Sequence, residues 1–361
     1  MSEIDNIFSY FLVLTTRNQK MNYKERQEAL VQLGKILEPP GDYLKAVMHR
    51  TSFHNQWLTD ENQEQALTAI AKEWLQPEVL SGWLNRYAEL NTIVGKGKKI
   101  GLVSAGNIPV VGLHDVLCVF AAGHQAVIKL SDKDPYLLPA IIKEWDKVSP
   151  GVSGYFEFVE RLQGFDAVIA TGSDNSARYF EYYFGKYPHV IRRNRNAVAV
   201  LDGQESYVDL LGLGRDVFQY FGLGCRNVSK LYLPKGYAFD QLHEAFFEYR
   251  ELVLHPKYKN NYDYNYAMYI LNKVPFIPSG PAMLLENPDI PSRIGTLHYE
   301  YYEDLTALQN QLQHQIDHIQ CIVARPGLLS LPAVAPGKAQ SPAIDEYADG
   351  VDTMSFLIDI T

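Results

Sequence analysis

Apolar residues recur three and four positions apart through the first quarter of the chain. Ala29-Leu30, Leu33 and Ile36-Leu37 form one such stripe, and Leu67, Ile70-Ala71 and Trp74-Leu75 another. This is the period of amphipathic helices, so residues 1–94 are predicted to be helical. Pro39-Pro40-Gly41 separates the first pair of helices and Gln76-Pro77 ends a later one. Trp57, Trp74 and Trp83 read as packing residues of this layer.

From residue 99 the pattern changes to short apolar runs alternating with helical stretches. Ile100 to Ser104, Ala126 to Leu130 and Ala167 to Ala170 are predicted strands. Helices are predicted up to about Ala122, after Pro135 and after Thr171-Gly172-Ser173. Such alternation predicts a parallel, doubly wound α/β sheet, whose ligands lie beyond the carboxyl ends of the strands. Loops 105–108, 131–134 and 171–174 occupy that position. His189 to Arg192 and Ala197 to Leu201 are expected to close the region. A helix from Ser206 to Tyr220, a strand from Lys230 to Leu233 and a helix-rich stretch follow. The expected division is 1–204 for the N-terminal helices and nucleotide-binding domain, 205–330 for a catalytic domain, and 331–361 for a return segment. Met354 to Ile360 alternates and reads as an exposed strand that pairs with another chain.

Composition narrows the class. Of 361 residues, 47% are hydrophobic and 21% charged, the mixture of a globular protein with a large core. A net charge of −9 argues against nucleic acid as a partner. Three cysteines make neither a disulfide framework nor a zinc knuckle, which suits a reducing compartment. The apolar run Ile7 to Leu14 follows Glu3 and Asp5, not a basic region, and reads as a core or interface helix and not a signal peptide. No apolar stretch approaches the ~20 residues that span a bilayer. The expectation is a cytoplasmic protein. The ten histidines show no ligand spacing, so no metal is expected.

Cys118 and Cys321 sit in apolar runs and read as small core residues. Cys225 differs. Gly222 and Gly224 precede it and Arg226 follows. Glycines admit a close-approaching ligand, and a neighbouring cation favours the thiolate. Cys225 is thus a candidate nucleophile, beside the alternative of a glycine-rich turn that happens to hold a cysteine. For a cofactor, Gly95 to Gly101 tempts a dinucleotide reading, but its glycines precede the first strand. Thr171-Gly172-Ser173 opens a helix, where free amides attract phosphate or where Ser173 is a plain cap. Lys129 ends a strand, within reach of a ribose or phosphate or simply solvated. The Tyr-rich run Tyr258 to Tyr269 reads as helical packing and not as a nucleic-acid platform.

Asn107 in Ala105-Gly-Asn-Ile-Pro109, the segment Ala121-Ala-Gly-His-Gln-Ala-Val-Ile-Lys-Leu-Ser131, Thr171-Gly-Ser173 and Cys225 follow one another in the order and rough spacing of the aldehyde dehydrogenase superfamily. Gly224-Cys-Arg-Asn-Val-Ser229, Asn261-Tyr-Asp-Tyr-Asn265 and Tyr347-Ala-Asp-Gly-Val-Asp-Thr-Met-Ser-Phe356 resemble one branch of it, the acyl-CoA reductases of the LuxC type. The resemblance runs from about residue 50 to the end. It implies an aldehyde dehydrogenase-like fold, with a Rossmann-type cofactor domain, an α/β catalytic domain and a C-terminal oligomerisation strand. It implies that Cys225 forms the covalent intermediate and that the Asn107 amide donates to the oxyanion. Lys129 and Ser131 would lie at the adenosine ribose, with Asp132 placed as the acid that holds its 2′-hydroxyl in NAD-preferring relatives. Thr171, Gly172 and Ser173 would lie near the phosphates, and Glu286 stands in for the glutamate that holds the nicotinamide ribose.

One departure bears on the reaction. Aldehyde-oxidising relatives carry a glutamate that activates water before the segment leading to the cysteine. Here that stretch reads Arg192-Arg-Asn-Arg-Asn196, without a carboxylate. An acyl-enzyme with no base for water persists until a thiol or hydride arrives, which favours thioester reduction over aldehyde oxidation. The arginines are available for coenzyme phosphates or are solvated. The expected activity is reduction of a fatty acyl thioester, on acyl-CoA or an acyl carrier, to a fatty aldehyde. NADPH is expected from the resemblance and NADH from the Asp132 charge. An acyl-protein synthetase or other acyl-donor protein is the implied partner, and a homo-oligomer the implied assembly. The rival readings are an oxidative NAD(P)-dependent aldehyde dehydrogenase and a catalytically silent nucleotide- or acyl-binding subunit.

Overall fold

The computed structural model describes residues 21–91 and 97–360. The run Ile7 to Leu14, and Gly95 and Lys96 of the glycine-containing string, lie outside the described residues. The chain divides into two units, one of residues 1–193 with 343–361 and one of residues 194–342.

The first unit begins with helices. In α1 (Tyr23–Leu37) Asn22 and Glu25 form a reciprocal capping box, and Ala29, Leu30, Leu33 and Leu37 face the core. After Pro39-Pro40 come α2 (Asp42–His54) and α3 (Asp60–Ala69), which runs into one π-helical turn over Ile70–Trp74. Pro77 sits in the first turn of α4 (Pro77–Leu84), where its missing N–H costs nothing. The expected α/β alternation follows: β1 (Lys99–Val103), α5 (Leu113–Ala121), β2 (Gln125–Lys129), α6 (Leu137–Val148), β3 (Phe156–Phe158), β4 (Ala167–Thr171), α7 (Asp174–Phe184) and β5 (His189–Arg192). The five strands lie in the order β3-β2-β1-β4-β5, and every pairing is parallel. Phe120, Trp145, Tyr155 and Phe156 form an aromatic core beneath the sheet, and Trp145 Nε1 donates to Ala29 O at 2.7 Å. β3 has no counterpart in the sequence reading. Three residues of it, Phe-Glu-Phe, are too few to show a period.

The second unit holds β6 (Asn196–Val200), α8 (Tyr207–Phe218), β7 (Val228–Pro234), α9 (Asp240–Phe247), α10 (Pro256–Leu271), β8 (Ile277–Ser279), β9 (Ala282–Glu286), β10 (Thr296–Tyr302), α11 (Leu305–His314) and β11 (Ile319–Ala324). Its six strands are ordered β11-β6-β7-β10-β9-β8, parallel except for the β8–β9 hairpin. One face packs on Leu213, Phe218, Leu242 and Phe246, and the other on Leu308 and Leu312. β8, β9 and β10 lie in the stretch read as helix-rich. α10 is the helix expected from the tyrosine-rich run.

Two boundaries differ from the expectation. β6 pairs with β7 and β11 and so belongs to the second sheet, which moves the change of unit from 204/205 to 193/194. The segment 331–342 also stays with the second unit. The last element is a correction in kind. Residues 354–360 are not a strand: Thr353–Asp359 form helix α12, capped by Asp352, whose side chain accepts from the Ser355 N–H. Buried Thr353, Met354 and Leu357 recur at three and four, the helical spacing, and the alternation of Met354, Phe356, Ile358 and Ile360 is incidental to it. Leu357 O takes a hydrogen bond from His124 Nε2 at 2.8 Å, so the tail is seated on the first unit itself.

Candidate functional site

In the first unit a cleft of about 400 Å³, counting the part open to solvent, lies beyond the carboxyl ends of β1 and β2. Ser104, Gly106, Val110, Lys129, Ser131 and Asp134 are among its lining residues. This is where a doubly wound sheet presents ligand groups. Lys129 is the final residue of β2, so strand geometry fixes its backbone at the cleft it lines. A side chain at position 106 would bring its Cβ 2.4 Å from Ser131 Oγ, so only glycine lets the two loops meet there. Asn107 follows directly in the β1 loop and is half-buried. The cleft thus unites Lys129 and Ser131, neighbours at the end of β2, with the loop after β1 that carries Asn107.

Other predicted residues fall elsewhere. Asp132 is exposed and is not on the cleft wall; its backbone carbonyl accepts from His54 Nε2 at 2.8 Å. The acid that lines the cleft is Asp134, which the sequence reading passed over. Its Oδ1 accepts from the Tyr136 and Leu137 amides at 3.3 and 3.1 Å, and burial raises its pKa. Thr171 ends β4, and Ser173 caps α7 by accepting from Ser176 N at 3.3 Å. Arg192 is no phosphate-binding surface residue. It is buried, with Nη1 on both carboxylate oxygens of Asp115. Arg193 pairs instead with Glu181 at the surface.

In the second unit Cys225 lies on a turn between α8 and β7, half-buried, while Cys118 is wholly buried. Burial pushes the Cys118 thiol well above its usual pKa, so it is a poor nucleophile. Cys321 lies in a strand, as expected, but β11 is the edge strand of its sheet and the side chain is half-buried, not a core residue. The approach to Cys225 is unusual. Tyr220, Phe221 and Gly222 adopt φ of 52°, 59° and 74° in succession. A left-handed non-glycine residue costs about 1–3 kcal/mol, so two in a row persist only where surrounding contacts hold them. Asn227 and Asp216 bracket the stretch on either side. Asn227 accepts from Gly224 N at 2.8 Å and donates to Asp216 O, Val217 O and Gln219 O at 3.0, 3.3 and 2.8 Å. Asp216, with no exposed surface, accepts from Gly337 N and Ala339 N at 2.7 and 3.0 Å. Arg226 Nε donates to Ala339 O. A bulge follows at Ser229, where the β6–β7 register slips, and Ser229 Oγ donates to Ile290 O at 2.7 Å.

Glu286 does not share this neighbourhood. It is the exposed last residue of β9, in register with Tyr299 and through it with Leu231, three residues into β7. It stands two strand spacings, about 10 Å, across the sheet and at least about 10 Å along it from the turn that precedes Val228. The residues at the cysteine's end of β10 are Ser292 to Gly295. They are anchored by the run Asn261–Asn265: Asn265 Nδ2 donates to Ile294 O at 2.9 Å and Arg293 Nη1 to Asn265 Oδ1 at 3.4 Å. No local signal in the sequence marks Asp216, which reads as one more polar position of an amphipathic helix. Among the described residues no group of three His, Cys, Asp or Glu side chains is placed to hold a metal ion. Among them also, no helix is long and apolar enough to cross a membrane.

The two sheets and their order define an aldehyde dehydrogenase fold. The chain superposes on aldehyde dehydrogenase 21 of Physcomitrella patens with a TM-score of 0.67 and 14% identity, over 99% of this chain and 88% of that one. It superposes on an NAD-dependent aldehyde dehydrogenase of Sinorhizobium meliloti with a TM-score of 0.65 and 11% identity, over 89% and 74%. Within that fold the sequence pattern of the acyl-CoA reductase (LuxC) family matches residues 3–210, more than half of the chain, and the protein belongs to that family. A long-chain acyl-protein thioester reductase of Photorhabdus laumondii is 23% identical over 216 residues, 54% of this chain and 44% of the relative. A second such reductase, of Photobacterium leiognathi, is 21% identical over 46% of this chain and 38% of its own length. The matched stretch therefore spans less than half of these relatives.

Proposed function

We propose that this protein takes an acyl group from a fatty acyl thioester onto Cys225 and releases it, after reduction, as a fatty aldehyde. The carrying observation is the placement of Cys225: a half-buried thiol on a turn that follows a left-handed stretch and is held by the buried Asn227 side chain, in a chain of this family. The Cys225 thiolate attacks the thioester carbonyl, and the tetrahedral oxyanion is held by the Cys225 backbone N–H and, by the Ala105–Pro109 motif, the Asn107 amide. Loss of one such donor typically costs about 100- to 1000-fold in rate. The C–S bond to the donor breaks, its thiolate leaves, and an acyl thioester of Cys225 remains.

The cleft residues suit a nucleotide: a lysine at a strand end, two serine hydroxyls and a glycine where a side chain would close the space. A bound NADPH or NADH would supply the hydride that reduces the Cys225 thioester. Lys129 and Ser131 would hold its adenosine ribose, with Ser173 and its neighbours Thr171 and Gly172 toward the phosphates. The resulting thiohemiacetal expels the Cys225 thiolate and the aldehyde departs. Glu286 is left out of this set because of its position on β9. The absence of a carboxylate from Arg192–Asn196 supports reduction over hydrolysis. The curated relatives are named for acyl-protein thioesters, which supports an acylated protein as donor beside acyl-CoA.

Intact-mass spectrometry after exposure to palmitoyl-CoA, or to a palmitoylated carrier protein, tests this reading. One added acyl group that maps to Cys225 and disappears on addition of NADPH is the expected result. No adduct from either donor, or an adduct on Cys118 or Cys321, overturns it. Oxidation of an aldehyde with NAD⁺ in the absence of any thiol would favour the oxidative alternative.

A further inference from the structure

The Cys225 turn has a builder. Asn227, 2% exposed, spends every hydrogen-bonding group of its side-chain amide on it. Its carbonyl oxygen takes the N–H of Gly224, the residue before the cysteine, and its NH2 group gathers three carbonyls from Asp216 and Val217 at the end of α8 and from Gln219, just ahead of the left-handed stretch. The turn closes on itself as well, since Asn227 N donates to Gly224 O at 3.1 Å. Cys225 is thus clasped between two residues that bond each other through both backbone and side chain. Three carbonyls converging on one point repel each other unless a donor lies between them. A four-atom planar amide supplies the donor and, on its far side, the acceptor for Gly224. No other uncharged side chain of this length offers both.

We infer that Asn227 is a positioning residue that sets the direction of the Cys225 Sγ and of the Cys225 N–H. This rests on the reading of Cys225 as the acyl-bearing thiol, and it adds to that reading the device that aims it. Asn227 itself touches no substrate. A displacement of about 1 Å at a reacting atom can cost about 100-fold in rate, so the effect is expected on turnover and not on donor binding. Asp216 and Arg226 extend the same frame: they tie the 337–339 segment to α8 and to the turn, so the clasp does not shift as a body.

The test uses the full chain with Asn227→Asp, which keeps the acceptor for Gly224 and removes the donors, and Asn227→Ser, which shortens both. Alkylation of Cys225 by iodoacetamide is followed across pH 6 to 10 by peptide mass spectrometry, a readout that needs no acyl donor. Acyl transfer from palmitoyl-CoA is measured beside it. The expected result in variants with wild-type circular dichroism is a changed alkylation pH profile and a kcat lowered about 100-fold with KM changed less than about threefold. Asn227→Ser, which keeps a donor, should recover part of what Asn227→Asp loses. A folded variant with an unchanged profile overturns the inference, whether or not acyl transfer is seen in the wild type. Should both variants fail to fold, amide hydrogen exchange on the wild type decides: exchange of the Gly224 N–H far slower than in an unstructured peptide of the same sequence supports the clasp, and exchange at the peptide's rate overturns it.

Discussion

Arg192 Nη1 lies 2.9 and 2.7 Å from the two carboxylate oxygens of Asp115, and Arg192 Nη2 donates to Thr353 Oγ1 at 2.9 Å. One guanidinium thereby joins β5, α5 and the tail helix α12. Both charged side chains are less than a tenth exposed. Removing one partner of such a pair strands the other charge in the interior and costs about 3–5 kcal/mol. Asp115→Ala is expected to lower the unfolding free energy by that amount in urea titrations, and Arg192→Met with Asp115→Leu to recover most of it. An Asp115→Ala protein with the wild-type urea midpoint would show that the pair carries no weight.

Cys225→Ser and Cys225→Ala are expected to remove the acyl adduct and leave the unfolding free energy from urea titration within about 0.5 kcal/mol, as substitutions away from the core do. Cys118→Ser should do the reverse. It places a hydroxyl in the apolar surroundings of Phe120 and Leu117, lowering stability by about 1–3 kcal/mol while acylation continues. Loss of the adduct in folded Cys118→Ser would move the nucleophile to the wrong cysteine.

Asp216 gives the second unit a pH signature. Burial pushes its carboxyl up to about 6, against the two amides that favour its charge. A group that binds its proton more tightly when folded stabilises the fold at low pH. The contribution is present below the unfolded pKa, near 4, and is lost as pH rises through about 6. The size is about 3 kcal/mol for a shift of about two units. Asp216→Asn cannot ionise, so the stability of the wild type relative to it should fall by about 2 kcal/mol from pH 4 to pH 7. Parallel urea curves at the two pH values, with a constant difference, would refute the assignment.

The alternation of β1, β2 and β4 with helices was legible because buried parallel strands are continuous apolar runs bounded by turn residues. Lys129 and Ser131 were legible for the same reason, since a strand end locates its own loop. Asp132 and Asp134 were not separable, because which of two neighbouring acids faces the cleft depends on the turn at Ser131–Asp134 and not on spacing. β6 was assigned to the wrong sheet because Arg193–Arg195 is too short a link to look like a crossing between units. Asn227 was visible as part of the motif around Cys225, yet its partners Asp216, Val217 and Gln219 lie on the far side of a left-handed stretch. Local propensity does not announce such a stretch at Tyr220 or Phe221. The position of Glu286 was hidden for a related reason: without β9 and β10 in register nothing places it relative to Cys225.

The tail can be cut to separate two roles. Met354 and Leu357 are fully buried in the core of the first unit, and His124 holds the Leu357 carbonyl. Losing a buried methionine or leucine side chain costs about 2–5 kcal/mol. Truncation after Asp352 is therefore expected to lower the melting temperature and to expose apolar surface, seen as dye binding. Met354→Ala alone should show a smaller loss of the same kind. A truncated chain that melts as the wild type but sediments as a smaller species would restore these residues to an interface between chains.

Cofactor preference turns on which carboxylate meets the adenosine ribose. The sequence pointed to Asp132, but that side chain is exposed and off the cleft wall, while Asp134 lines the cleft beside Lys129 and Ser131. A carboxylate near a 2′-phosphate repels it, and charged contacts of this kind are worth about 1–3 kcal/mol, roughly ten- to hundredfold in affinity. Asp134→Asn retains an oxygen for the Tyr136 and Leu137 amides and removes the charge, so the start of α6 is kept. The variant should bind NADPH at least about tenfold better relative to NADH than the wild type does, and because burial raises the pKa of Asp134 the difference should grow as pH rises. Asp132→Ser should change that ratio by less than about threefold, and Lys129→Met should weaken both cofactors together. Fluorescence titration of the two reduced cofactors against the four proteins measures all of this. A ratio that moves with Asp132 and not with Asp134 would mean that the ribose lies outside the cleft, over the surface where Asp132 and His54 meet.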